Sequence, residues 1–196
     1  MGLAFHNYQR VHKHLPAPVL YGGKSGKVPH SWRVAILPFL AETDLYNAYN
    51  FDEMSRFTPW PRETRESELY NAYNFDEPWD GPHNRKLLDK MPAVYRYPGM
   101  KGANPTYTAF FVFTGPDTLL GKGDKPDVAD ARDETSFTIL AVEVQREIPW
   151  TKPEDIPFDR HGPLPQIGGF TPDGFNALQG DGSVRYFMSL RPSSRA

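Results

Sequence analysis

Apolar side chains at Ala4, Tyr8, Val11 and Leu15 recur at i, i+4, i+7 and i+11, which predicts a short helix over 3–15 with one buried face. Pro16 and Pro18 end it, because proline lacks the N–H a continuing helix needs. Residues 19–30 hold three glycines and two lysines and read as a loop. Trp32 to Leu40 is apolar and reads as helical, with Pro38 at a turn or kink. His83 to Lys90 predicts a short helix with Leu87 and Leu88 inward, and Ala93 to Tyr97 a brief extended piece. Thr106 to Thr114 (TYTAFFVFT) and Ser136 to Val144 (SFTILAVEV) are aromatic and β-branched, as strands are. Residues 115–134 read as a surface loop and Pro149 to Gly169 as a long one. Gly174 to Gln179 and Ser183 to Met188 flank Gly180-Asp181-Gly182, the pattern of a β-hairpin. The class is therefore α+β: an N-terminal helix packed on an antiparallel β-sheet of about four strands, with long Pro/Gly-rich loops. Tyr8, Val11 and Leu15 are expected to face the sheet, and Phe111, Phe113, Ile139 and Ala141 to fill the core.

One pattern breaks the simple sequence of elements. Asp44 to Glu53 (DLYNAYNFDE) recurs as Glu68 to Glu77 (ELYNAYNFDE), identical at nine of ten positions with an offset of 24. Two copies are too few for a solenoid. The pattern reads as a local tandem duplication, an insertion around 54–77 within a single domain spanning 1–196. A paired binding surface of Tyr and Asn is the sharper alternative. Between the copies, Thr58-Pro59-Trp60-Pro61 interrupts regular structure.

Composition changes this picture in three ways. With 22 Lys+Arg, 24 Asp+Glu and a net charge of −2, the chain lacks the clustered positive excess that phosphate neutralisation requires, so no nucleic-acid partner is expected. Zero cysteines exclude disulfides, thiolate metal sites and cysteine nucleophiles. The longest purely apolar run, Ala109 to Phe113, is far short of the roughly 18 residues that span a bilayer. The apolar share is 39%, yet 13 Phe, 10 Tyr and 4 Trp supply large areas to bury.

Candidate chemistry is sparse. His6, His12, His14, His30, His83 and His161 show no metal-binding spacing, and His12 and His14 at i, i+2 on a helix are expected to point apart. No Gly-x-Ser-x-Gly elbow accompanies the serines. Glu143 lies in an apolar strand, where a structural role, exposed or paired, is expected over acid–base work. No enzyme activity is expected. Tyr46, Tyr49, Trp60, Tyr70, Tyr73 and Trp79 fall in one stretch with asparagines between them, a candidate binding surface for sugar or protein, with core packing as the alternative.

Several phrases carry a family resemblance. They are 2–8 (GLAFHNY), 31–40 (SWRVAILPFL), 77–84 (EPWDGPHN), 91–98 (MPAVYRYP), 149–155 (PWTKPED), 175–178 (FNAL) and 181–186 (DGSVRY). Together and in this order they resemble the DUF1559 family, whose members look like type IV pilins or pseudopilins with a prepilin-type N-terminus. The resemblance implies a pilin-like fold and an apolar N-terminal helix that anchors and assembles the subunit. This sequence is expected to start downstream of that helix. It further implies an extracytoplasmic structural subunit of a cell-envelope filament or secretion apparatus. Its partners would be its own copies or other pilin-like subunits, with membrane contact only through the missing segment. The alternative is a soluble envelope-associated binding module for carbohydrate or protein. Some pseudopilins hold calcium in a C-terminal loop, which makes Asp173 and Asp181 the candidate ligands here. Asp127, Asp130 and Asp133 offer further oxygens, without EF-hand spacing. Ordinary turn roles are the alternative for all of these. Otherwise no cofactor is expected. Three positions depart from the family pattern: Thr171 stands where a His is usual, Glu134 where a Gly is, and Tyr97 where a Cys often is.

Overall fold

A computed structural model describes residues 1–40, 65–98, 104–121, 123, 125–127, 129 and 135–188. The first element, α1 (Gly2–His12), buries Ala4, Phe5 and Tyr8. It is shorter than the sequence pattern suggests. Lys13 turns into the left-handed region at φ 65 and its N–H donates to the Gln9 carbonyl at 2.7 Å, closing the helix before Pro16 acts. Leu15 is fully buried beyond the helix end, whereas Val11 stands 50% exposed and does not face the sheet.

The stretch read as a loop at 19–30 is a hairpin. β1 (Val19–Gly22) pairs antiparallel with β2 (Val28–Ser31), and Gly23 and Gly26 adopt the positive φ its turn needs. Ser31 then caps α2 (Trp32–Ala35), its hydroxyl accepting from Arg33 N at 3.2 Å. A helical turn follows at 37–40, so Pro38 sits in a first turn, where its missing N–H costs nothing. α3 (Arg65–Ala72) covers the first half of the second repeat and buries Ser67 and Leu69. The predicted helix at 83–90 is a 3-10 helix, Asn84–Lys90, with Leu87 buried and Leu88 half-buried. Ala93–Tyr95 is also a 3-10 turn rather than extended chain.

The expected strand at 106–114 serves two sheets. β3 (Phe110–Phe111) pairs antiparallel with β5 (Ile139–Glu143), while β4 (Phe113–Thr114) pairs parallel with β6 (Ile156–Pro157), a strand inside the segment read as a long loop. Between them the Val112 N–H donates to the Asp155 carboxylate at 3.0 Å instead of to a strand. β7 (Gly174–Gln179) and β8 (Val184–Met188) form the expected hairpin and complete a four-stranded antiparallel sheet of order β3-β5-β7-β8. Gly182 has φ +85, and a Cβ there would meet His6 Nε2 at 3.1 Å, so the turn needs glycine on both counts. Within 115–134, Leu119 and Leu120 form a buried 3-10 turn, not a surface loop.

The fold is thus α+β. Alternation along the strands sends Val112, Ala141 and Leu178 into the main core with α1 and α2, and Phe111, Val142 and Ala177 into a second cluster on the other face. Phe113 and Ile139 pack at the margin of the second cluster. The start of α1 presses on the β7–β8 turn: a Cβ at Gly2 would lie 2.9 Å from Leu178 Cδ1. The first repeat copy, 44–53, lies outside the described residues, as do Tyr46, Tyr49 and Trp60.

Candidate functional site

The residues His30 to Arg33 feed two polar centres inside the protein. The first is charged. The Arg33 and Asp155 side chains, 0% and 1% exposed, form an ion pair at 2.7 Å. The guanidinium also donates to the Phe110 carbonyl at 2.8 and 3.1 Å and to Ser31 Oγ at 3.1 Å. It lies 4.8 Å from the Trp32 ring centre and 5.0 Å from that of Phe111. Asp155 accepts from Trp32 Nε1 at 3.2 Å and from Val112 N at 3.0 Å. Burial pushes the Asp155 carboxyl up, while Arg33 and these two donors pull it down. Tyr95 donates its hydroxyl proton to the Arg33 carbonyl at 2.7 Å, and burial raises its pKa well above the ordinary value. Every donor here meets an internal partner, so this centre holds the core together and presents nothing to a ligand.

The second centre is built around two neutral side chains, His30 and Asn84. His30 is 1% exposed, with Nδ1 3.1 Å from the Tyr73 hydroxyl and Nε2 3.0 Å from the Phe75 carbonyl. A carbonyl can only accept, so Nε2 carries the proton and Nδ1 accepts from Tyr73. Burial lowers the His30 pKa, against a smaller upward pull from the Phe75 carbonyl. Beside it, Asn84 is fully buried. Its Oδ1 accepts from Asn74 N at 2.8 Å, and its Nδ2 donates to the carbonyls of Asn74 at 2.9 Å, Pro78 at 3.0 Å and Glu77 at 3.4 Å. The Glu77 carboxylate accepts from the backbone N–H groups of His83 at 2.8 Å and Asn84 at 2.7 Å. The ring of His83 adds a 3.0 Å contact, and together these hold the acid below its ordinary range.

Next to this second centre, among the described residues, lies a cavity of about 280 Å³. Tyr8, His12, His30, Phe39, Tyr70 and Phe75 are among its walls. Burial raises the Tyr8 pKa to about 12, with the neighbouring Tyr70 hydroxyl adding to the effect. Burial lowers the His12 pKa, and His14 lowers it further. At neutral pH the walls therefore carry aromatic faces, hydroxyls and neutral imidazoles. That lining suits an uncharged ring or an apolar side chain better than an ion. His12 and His14 do not point apart as helical i, i+2 residues would. The left-handed turn at Lys13 brings the His14 ring to 6.2 Å from His12 and 5.9 Å from Tyr8.

The sequence-derived candidates divide. Of the aromatic set, Tyr70 lines the cavity and Trp79 is half-buried nearby in sequence, but Tyr73 is only 4% exposed and spends its hydroxyl on His30. Tyr73 belongs to the core and not to a stacking surface. Asp173 and Asp181 stand at opposite ends of the six-residue β7, about 20 Å apart at strand rise, so one ion cannot take both. Asp181 Oδ1 instead accepts from the Ser183 N–H and hydroxyl at 2.9 and 2.6 Å, a turn role. Asp127 accepts from Gln9 Nε2 at 2.8 Å, and Asp130 and Asp133 lie outside the described residues. No cluster of three or more His, Asp or Glu side chains able to hold a metal occurs among the described residues. Glu143 is 8% exposed and accepts from the Asn176 N–H and side chain at 2.9 and 3.0 Å, tying β5 to β7. Among the described residues no helix is long and apolar enough to cross a membrane.

Sequence reading missed Arg33, Asp155, His30 and Asn84 as interacting residues. A signal was present. Arg33 and Asp155 are charges inside two aromatic phrases, SWRVAILPFL and PWTKPED, and Asn84 closes a third, EPWDGPHN.

The fold and its sites define a small α+β protein whose polar centres are built from these phrases. Over residues 1–146 the chain matches the family described as a protein of unknown function (DUF1559), and it belongs to that family. No curated protein and no solved structure matches it.

Proposed function

We propose that the protein is an extracytoplasmic pilin-like or pseudopilin-like structural subunit of a cell-envelope filament or secretion apparatus. Family membership supports the reading. The observation that carries it is the distribution of exposed apolar residues. α1 buries Phe5 and Tyr8 inward yet exposes Leu3 at 41% and Val11 at 50%. On β8, the last strand of the four-stranded sheet, Val184, Tyr186 and Met188 are 66%, 50% and 78% exposed. Apolar positions on the first helix and on an edge strand are what lateral packing between subunits buries. Mass spectrometry of the mature N-terminus from native cells tests this. A processed apolar segment of roughly 20 residues ahead of α1 is expected. A mature chain that begins at Met1 would remove the anchor and overturn the reading.

The cavity favours a second reading, a soluble envelope-associated module that takes an aromatic or sugar group between Phe39, Tyr70 and Phe75. Saturable glycan binding that disappears in Tyr70→Ala would establish it. Binding that persists in that variant would rule this cavity out.

A further inference from the structure

One short segment fills the second polar centre, and the chain contains that segment's sequence twice. In the structure this seat holds the second repeat copy. Tyr73 and Phe75 contact His30, Asn74 and Glu77 contact Asn84, Glu77 accepts from His83 N, and Asp76 Oδ1 accepts from Lys24 N at 2.7 Å. Leu69 is buried in the main core at 5% exposure. All the receiving residues, Lys24, His30, His83 and Asn84, lie outside both copies. All the inserted ones have identical counterparts in the first copy: Leu45, Tyr49, Asn50, Phe51, Asp52 and Glu53. We propose that the seat binds either copy, so that residues 44–53 and 68–77 exchange in one intramolecular site.

Three observations favour exchange within one chain. First, the long connection is nearly equal in the two states. Residues 41–67 join Leu40 to a seated second copy, 27 residues, and 54–77 join a seated first copy to Pro78, 24 residues, so loop closure separates the two by only about 0.1 kcal/mol. Second, Pro38 and Phe39 line the same cavity as Tyr70 and Phe75, so the chain enters the repeat region beside the seat. Third, a ligand tethered through so short a linker acts at an effective concentration near millimolar, which exceeds that of a second molecule in ordinary solution. One seat contact falls beyond the repeat, the 3.0 Å bond from Asn84 Nδ2 to the Pro78 carbonyl. Its loss biases the equilibrium toward the second copy by roughly tenfold at most.

The absence of cysteine gives a clean trap in the full chain. Lys24→Cys combined with Asp76→Cys reports the second copy, and Lys24→Cys with Asp52→Cys reports the first. Mild oxidation is expected to close an intramolecular disulfide in both variants, with yields within roughly tenfold of each other. Closure in the Asp76 variant without closure in the Asp52 variant would overturn the proposal, as would a disulfide formed only between molecules. Stability gives an independent arm. Tyr73→Ala with Phe75→Ala is expected to lower the folding equilibrium by no more than about tenfold, because the first copy takes over. Adding Tyr49→Ala and Phe51→Ala removes the substitute and produces a loss far larger than the two pairs summed. If the Tyr73/Phe75 variant alone loses as much as the fourfold variant, the seat has one ligand only.

Discussion

Two buried polar centres start from the same four residues, His30 to Arg33, and solve burial in opposite ways. At Arg33 and Asp155 both charges are retained, and each finds several fixed partners in β2, α2, β3 and the segment around Val112. At His30 and Asn84 the groups are neutral, and their partners come almost wholly from one contiguous segment, Tyr73 to Pro78. A buried charge demands many partners at once, because its desolvation penalty is of several kcal/mol. Neutral amides and imidazoles ask less, so a single segment can satisfy them and be released. The charged centre is scaffold, while the neutral one beside the cavity is where proton linkage belongs.

The largest break in this contrast is Asp155→Ala. It leaves the Arg33 charge buried and unpaired and should cost about 3–5 kcal/mol, read from the midpoint of a denaturant titration. A loss below about 1 kcal/mol would mean that the charged centre is not scaffold. Asn84→Ala comes next, at about 2–3 kcal/mol, since it strips the Asn74 N–H of its acceptor and takes a donor from the Asn74 and Pro78 carbonyls. The same titration checks it, and an effect as large as that of Asp155→Ala would erase the distinction.

A pH series sharpens the comparison. Burial lowers the His30 pKa beneath 6.5, and that of His12 likewise. Below about pH 6.5 the unfolded chain therefore binds more protons than the folded one. Stability is full above that pH and falls as pH drops through it toward the folded values. Melting temperatures between pH 7.5 and 5 should show this decline, and His30→Phe should make it shallower, leaving the share of His12. Glu77 and Asp181 are lowered from 4.5 and 3.8, so their losses begin at more acid pH and do not overlap. The smallest effect is expected at Lys24→Ala. Its ion pair with Asp76 is 93% and 46% exposed, so thermal melts should move by less than about 0.5 kcal/mol equivalent.

Local pattern made some of this architecture legible and distance hid the rest. α1, the helical run from Trp32 and the β7–β8 hairpin declared themselves through spacing and turn residues that act within a few positions. The β1–β2 hairpin did not, because four-residue strands containing Pro29 and flanked by three glycines carry no readable alternation. Val11 fits a helical stripe by spacing, but the helix ends one residue later and no core covers it. The Arg33–Asp155 pair spans 122 positions, and no periodicity links residues so far apart. Tyr73 looked like surface aromatic chemistry because its partner, His30, lies 43 residues away.

The hand-over at Val112 has a kinetic consequence. Where the strand passes from β5 to β6, Asp155 takes the Val112 N–H, and Asp155 is held by a residue 122 positions earlier. Contacts of such sequence separation form late, after most loop entropy has been spent. Asp155→Ala should then leave the refolding rate nearly unchanged and accelerate unfolding, a result that stopped-flow chevrons read directly. The charged centre would act as the latch that slows the native protein's escape, with no part in starting its formation.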